Sequence, residues 1–486
     1  MDLLESLIWL SLILLAFLML GISIAVHEFG HLLFAKWRGM VVEKFSIGFG
    51  AVVWKKKWAN TEWSLRLLPF GGFVSLPQIT SVPALEGKND KPSQNYPPVS
   101  AIDKILASIG GPLFSFAFGM LAAVAVWILG KPELESAVTT VVGYVLPDSP
   151  AAKAEVPILP GDKIIAVNER LVSSFSATTD NIVEAIILSR GMNIQFDIER
   201  PRRTGGIELI TTYIKPTIDE VFNVRRVGIF PASSVVVGKI VASSPAERAG
   251  LRPGDQIIEV NFAPVYSPEQ FSEIVNNSNG QQITLTVDRE GQKLLLVAFP
   301  QFEKQNQRYM LGFSFQPPKT TVVHISPLHL ATRAVVMMNR TINAIFDPQS
   351  NIKPEHLSGP VGIISNQARL ARQDIRLLLW FLVLLNINLA ILNLLPLPVL
   401  DGGHILFSFV EMILRRPLPH RLVESLQTIF ALLLIGFMLY VTFHDSLREY
   451  RILKLHRDVR SSKQLLENLQ FSEDEHTQKS IPKDTY

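Results

Sequence analysis

The sequence predicts a polytopic α-helical membrane protein with four spans, a membrane-associated β-hairpin loop and two inserted β-rich domains. Three observations predict it. Apolar blocks recur at residues 7–35, 105–130, 377–395 and 426–443, and about 20 apolar residues suffice to cross a bilayer as a helix. Between the second and third blocks lies a long stretch of ordinary polar composition that contains an internal repeat. After the first block, residues 41–76 alternate apolar with small side chains around a triple-lysine tip.

The first block reads as a retained span and not as a signal peptide. Asp2 and Glu5 precede it where a signal peptide is basic, and it ends in His27-Glu28-Phe29-Gly30-His31 instead of a small-residue cleavage site. Ionisable groups at bilayer depth each cost up to a few kcal/mol unless paired or metallated. Histidines at i and i+4 share one helix face, so both rings can reach a single zinc ion. Glu28, beside the first of them, is suited to take a proton from water as a general base. Two core histidines with a stray carboxylate is the plainer reading, and the burial cost weighs against it.

Basic residues set the expected topology. The N-terminal tail has none, whereas Lys36, Arg38, Lys44, Lys55, Lys56, Lys57 and Arg66 follow the first block. The positive-inside rule then puts the N-terminus outside, the first loop in the cytoplasm and the long polar stretch outside. An even number of spans also puts residues 446–486 outside, against their content of Arg448, Arg451, Lys454, Arg457, Arg460 and Lys463. That tail reads as a solvated helix fading into disorder. With 486 residues there is room for two or three domains. The absence of cysteine excludes disulfides and thiolate ligands, and a net charge of +3 argues against a nucleic-acid partner.

Within residues 41–76, Phe45, Ile47 and Phe49, then Val52, Val53 and Trp54, then Trp63, Leu65 and Leu67 keep a period of two. Gly48, Gly50, Gly71 and Gly72 punctuate them, which predicts β-hairpins. Such strands either dip into the bilayer or anchor at its surface through Trp54, Trp58 and Trp63. Residues 80–100 read as a Pro-rich linker leading to the second span.

In the polar stretch, Ser149-Pro150-Ala151 precedes Pro160-Gly161-Asp162 and a strand ending at Asn168. Ser244-Pro245-Ala246 precedes Pro253-Gly254-Asp255 and a strand ending at Asn261. The two copies occupy about residues 132–229 and 230–318. Residues 319–375 connect to the third span through a helix near 328–346 and the stretch Ser358-Gly359-Pro360-Val361.

The third span, in a segment running to residue 404, carries Asn386, Asn388 and Asn393 and then Pro396 and Pro398. Two prolines stop the helix, which predicts extended backbone leading to Asp401, with Gly402 and Gly403 allowing a tight turn after it. Non-helical backbone at membrane depth survives only where protein or a wet cavity surrounds it. Asp401 is therefore well placed as a third metal ligand, leaving a fourth position open to water; the competing reading makes it a surface turn residue. Spans one and three run in the same direction, and His27 lies roughly 10–15 Å short of its cytoplasmic end at helical rise. Both segments fall in the cytoplasmic half of the bilayer. His404 is the alternative ligand. Asn393 and Asn388 are candidates to hold a substrate backbone or an oxyanion, or else to bond a neighbouring helix.

Together these residues make the chain resemble the site-2 protease family of intramembrane zinc proteases. His27-Glu28-Phe29-Gly30-His31 in the first span and the Asn393–His404 stretch in the third carry the resemblance. Gly48-Phe49-Gly50, residues 358–361 and the repeats add to it, the repeats looking like PDZ domains in the permuted bacterial arrangement. It covers about residues 7–443. The resemblance implies Zn2+ bound by His27, His31 and Asp401, Glu28 as general base, and a role for Asn393 in handling substrate. One departure stands out: Ser115 ends Gly111-Pro112-Leu113-Phe114-Ser115, where family members often have Asn.

The family further implies membrane-protein substrates with a single transmembrane helix, of the anti-sigma-factor or remnant-signal-peptide type, in the inner membrane of a bacterium. The two PDZ-like domains would be extracytoplasmic, gating access and binding peptides by strand addition. Two other functions compete, a catalytically inactive PDZ scaffold and a metal transporter. A scaffold has no reason to bear the burial cost of all four ionisable residues, and an open position beside a glutamate suits water activation better than ion transit.

Overall fold

The computed structural model describes residues 3–79, 96, 99–177, 180–202, 205–219, 223–304 and 306–469. Most of the expected linker 80–100, and the tail beyond residue 469, lie outside the described residues. The chain divides into two units. One comprises residues 1–132, 322–343 and 353–446, the other residues 133–321, 344–352 and 447–486.

The first unit begins with helix α1, Leu3–Trp37, an almost uninterrupted apolar run. Gly39, at φ +74°, ends it, and the Met40 amide returns to the Ala35 carbonyl. Strands β1 (Lys44–Trp58) and β2 (Thr61–Ser75) follow, joined by a turn in which Ala59 and Asn60 both have positive φ. Both strands fold back on themselves. Residues 44–47 pair with 62–65 on one side and with 72–75 on the other, so the sheet runs in the order 52–58, 61–66, 44–47, 72–75.

Helix α2, Ala101–Leu129, opens on a reciprocal cap between Ser100 and Asp103. Helices α3 (Pro327–Phe346), α4 (Pro360–Gln373), α5 (Ile375–Asn393), α6 (Asp401–Leu414) and α7 (His420–Leu469) complete the labelled helices. Among the described residues four helical stretches are long and apolar enough to span a membrane: Leu4–Trp37, Ala101–Leu129, Ile375–Asn393 and Arg421–Lys454. Ala122, Ala123 and Val126 of α2 pack with Leu330, Ala331 and Ala334 of α3 and with Leu382, Val383 and Ile387 of α5. Alanines on α2 and α3 let the backbones approach, and the larger Leu, Val and Ile side chains fill the space between them.

One expectation is corrected in this unit. The segment after α5 is not extended. The Leu397 amide returns to the Leu395 carbonyl and the Leu400 amide to that of Leu397, so it coils in tight turns and Asp401 opens a new helix. A β-carbon on Gly402 or Gly403 would collide with the carbonyls of Leu394, Leu395 or Leu397, so only glycine lets this coil sit on the first turn of α6. The fourth apolar stretch belongs to one 50-residue helix that carries the basic tail residues up to Leu469 without a break.

The second unit contains two copies of one β-rich design. In the first, Lys163–Val167, Arg170–Leu171, Ile194–Pro201 and Ile207–Ile214 form an antiparallel sheet, and Val142–Val145 pairs with Ile229–Pro231. In the second, Gln256–Val260, Ala263–Pro264, Ile283–Arg289 and Gln292–Ala298 repeat that sheet, and Val235–Ile240 pairs with Phe313–Phe315. The repeated sequence motifs do the same work in each copy. Ser149 accepts the Ala152 amide at the start of a turn, and Ser244 in the same way caps the short helix Pro245–Arg248. Gly161 and Gly254 adopt φ of +93° and +95°. Asp162 accepts the Leu159 amide and a two-pronged pair from Arg200, and Asp255 likewise accepts the Arg252 amide and Arg289. Asn168 and Asn261 turn the chain at positive φ while their side chains accept the amides of Gln195 and Thr284.

Candidate metal centre

The centre is assembled where α1 crosses α2. A β-carbon on Gly30 would collide with the Gly110 carbonyl, and one on Gly110 would stand 2.5 Å from the Gly30 carbonyl, so the backbones touch there. This contact brings the His31 ring against Gly111, whose missing side chain leaves the space the ring fills. His31 Nδ1 lies 2.8 Å from the Ala107 carbonyl oxygen, which can only accept. Nδ1 is therefore the protonated nitrogen, and Nε2 is left to face inward. His27, one turn earlier, lies with Nδ1 2.9 Å from the Ser115 hydroxyl, so its Nε2 faces the same point.

Asp401 arrives from the start of α6 and joins both rings. One carboxylate oxygen is 3.2 Å from His27 Nε2 and the other 3.2 Å from His31 Nε2, while the two Nε2 atoms stand 3.3 Å apart. Both histidines are buried. Asp401 Oδ2 is buried without a hydrogen-bond donor. Lone-pair donors this close repel one another unless a cation sits among them. Tetrahedral zinc with bonds of about 2.0–2.1 Å needs ligand atoms about 3.3 Å apart, so the donor set fits zinc in kind and in spacing. Two neutral imidazoles and one carboxylate leave the fourth position unfilled by protein.

Glu28 follows His27 on α1, with its Cγ close to Gly72 of β2; a β-carbon there would approach to 2.9 Å. The edge segment 72–75 thus passes beside the one carboxylate adjacent to the ligand set. Among the expected substrate residues, Asn393 at the end of α5 has its amide 3.4 Å from His27 Nε2. Asn388, on the same helix, has its Oδ1 buried without a hydrogen-bond partner. His404, the alternative ligand, stands 3.5 Å from Gln427 on α7 and is outside the group of three.

Two residues near the centre carry contacts that sequence reading did not assign. Ser115 orients His27, although its place in the Gly-Pro-x-x-Ser stretch was the only hint. Asn386, fully buried, donates to Ser23 on α1 and ties α5 to the helix bearing the histidines. Ser23 lies one turn before His27, a spacing that could have flagged it.

The model of peptidase family M50 matches residues 15–437 of this chain. A curated relative from Escherichia coli (strain K12), named "Regulator of sigma-E protease RseP", is 30% identical over 444 residues, covering 88% of this chain and 96% of its own. A relative from Vibrio cholerae, named "Putative zinc metalloprotease", is 29% identical over 451 residues, covering 88% of this chain and 97% of its own. Among solved structures, the PDZ domain of an SdrC-like protein from Listeria innocua is similar to 18% of this chain and 97% of its own length. Its TM-score is 0.17 and its identity 15%, too slight a likeness to carry an argument. With a family match over most of its length and full-length relatives of this kind, the chain belongs to peptidase family M50, the site-2 proteases, and is a zinc metalloendopeptidase.

Proposed function

We propose that this protein hydrolyses peptide bonds within transmembrane segments of other membrane proteins, in the inner membrane of a bacterium. The ligands are His27, His31 and Asp401, and Glu28 is the general base. The observation that carries this reading is the meeting of three lone-pair donors at one point beside a carboxylate, two of the donors and that carboxylate lying on a helix of membrane-spanning length. Zinc at that point supplies Lewis acidity towards water and the scissile carbonyl. Glu28 removes a proton from the attacking water as its oxygen bonds to the carbonyl carbon. It returns that proton to the amine nitrogen as the C–N bond breaks. The Ala107 carbonyl and the Ser115 hydroxyl keep the imidazole rings turned with Nε2 inward. Asn393 holds the substrate backbone next to the centre, with Asn388 further back on the same helix.

A helical substrate has its amides locked in internal hydrogen bonds and must unwind before attack. The edge segment 72–75 offers unpaired backbone next to Glu28, where an unwound stretch adds as a further strand. The two β-rich repeats are PDZ-like domains outside the membrane. They exclude substrates whose extracytoplasmic part has not been trimmed, and they bind peptides at a sheet edge. This makes the enzyme the second cut in a cascade, with a membrane anti-sigma factor as the favoured substrate, as the name of the Escherichia coli relative suggests. Remnant signal peptides form a parallel substrate class.

Purified protein and a tagged single-span substrate test the reading. The wild type is expected to cleave and Glu28→Gln to lose at least about 100-fold in rate while keeping its zinc. A chelator should stop the reaction and added zinc restore it. Cleavage by Glu28→Gln at the wild-type rate would refute the assignment of the base.

A further inference from the structure

The β1–β2 sheet carries a surface at its outer edge that nothing in its own unit covers. Register puts Trp54 opposite Leu65, Lys56 opposite Trp63 and Trp58 opposite Thr61 on one face, with Lys55 opposite Ser64 and Lys57 opposite Glu62 on the other. The Trp63 ring stacks on Phe45 at 4.7 Å, within the cluster that includes Leu32 and Ala35 of α1, so the tryptophan face is the one that packs on the helix. That face continues beyond the packed cluster. Trp54, Trp58 and Leu65 are 52%, 67% and 45% exposed. Lys55, Lys56 and Lys57 are all exposed on the outermost strand, and among the described residues none forms an ion pair, not even Lys57 with the Glu62 opposite it.

We propose that the hairpin 52–67 docks on anionic phospholipid headgroups of the leaflet at which α1 ends. Tryptophan rings favour the headgroup layer, and lysine stems lie along apolar surface while their ammonium groups reach phosphate. The end of α1 adds an exposed tryptophan, Trp37 at 66%, while the Arg38 guanidinium beside it is already paired with Asp103 and adds no free charge. Charge complementarity selects an anionic surface. Two copies of this chain docked through the same two-fold face would bring lysines against lysines. An acidic protein would match the lysines and still leave a tryptophan face suited to the bilayer boundary. The inference does not depend on the roles given to Glu28 or to the metal ligands.

The chain has no cysteine, so Val53→Cys gives a unique labelling site on the exposed strand. The full-length protein, labelled there with a fluorophore, is reconstituted into phosphatidylcholine vesicles with or without phosphatidylglycerol. Quenching by nitroxides fixed at headgroup depth is then read. Quenching should be stronger with phosphatidylglycerol, and the difference should shrink in high salt. Each lysine near an anionic surface contributes roughly a fivefold factor in the docking equilibrium, so Lys55→Gln, Lys56→Gln and Lys57→Gln together should abolish the lipid difference. The three Lys→Arg changes should preserve it, which separates charge from loss of fold. Equal quenching in both vesicle types, or a lipid difference that survives the triple glutamine change, would overturn the proposal. So would efficient disulfide cross-linking between unlabelled copies of the Val53→Cys variant in place of quenching.

Discussion

A β-carbon at Gly111 would collide with His31 Nε2, so alanine there pushes the ring off the point where the three donors meet. Gly111→Ala is expected to cost about 10–100-fold in zinc affinity, the range seen when the surroundings of a metal ligand are disturbed. Metal titration of the purified variant, alongside its helical content, checks this. The Ser115 hydroxyl has a different task. Its oxygen accepts a hydrogen bond from His27 Nδ1–H when Nε2 faces the metal, and Ser115→Ala should lower zinc affinity by a similar factor while Ser115→Asn, which also offers an acceptor, should recover most of it. Measuring both variants distinguishes orientation of the ring from mere filling of space. The histidine pair and Glu28 stood out in the sequence through local spacing and burial cost, and Asp401 through the prolines and glycines that flank it. Ser115 and Asn386 were not, because their contacts join residues 88 and 363 positions apart and no local pattern encodes such a meeting.

The repeated β-rich unit shows what motifs look like when their physics is local. Pro-Gly-Asp was readable as a turn into a strand, and the structure adds the reason for the aspartate: it holds a turn amide and an arginine from a neighbouring strand at once. Burial pushes the Asp255 carboxyl up, but the Arg289 guanidinium and the Arg252 amide outweigh it and hold it below its usual range. A carboxyl lowered on folding stabilises above its unfolded pKa and loses that contribution as pH falls through its folded value. Stability of this repeat is therefore expected to be insensitive to Asp255 ionisation at neutral pH and to fall in acid, below about pH 4. Asp255→Asn should destabilise it by about 3 kcal/mol, because the arginine loses its charged partner. Hydrogen exchange of amides in Gln256–Val260 reads both effects. The short strands Val142–Val145 and Ile229–Pro231 were beyond the reach of pattern, since four residues and three residues carry too little periodicity to distinguish strand from loop.

Across the membrane unit, apolar length alone located four helices of spanning size, and prolines located the break after α5. What the break looks like was not legible. Pro396 and Pro398 forbid a regular helix without choosing between extended chain and a coil of turns, and that choice is made by Gly402 and Gly403 accepting carbonyls against their α-carbons. The same long-range logic applies midway along α7. Asp445 is fully buried there and accepts the amides of Gly359 and Gly362 at the start of α4, which gives the Ser358–Val361 stretch its structural purpose. Asp445→Ala leaves those amides without this acceptor and should destabilise the unit by about 2 kcal/mol, measurable as a lower thermal midpoint of the full chain in detergent.

X-ray absorption at the zinc edge of the purified, zinc-loaded protein addresses the metal centre directly. The wild type should show two imidazole nitrogens and carboxylate oxygen at about 2.0–2.1 Å, with one imidazole lost in His27→Ala or His31→Ala and unchanged coordination in Glu28→Gln. A spectrum unaltered by Asp401→Ala, His27→Ala and His31→Ala would contradict the account.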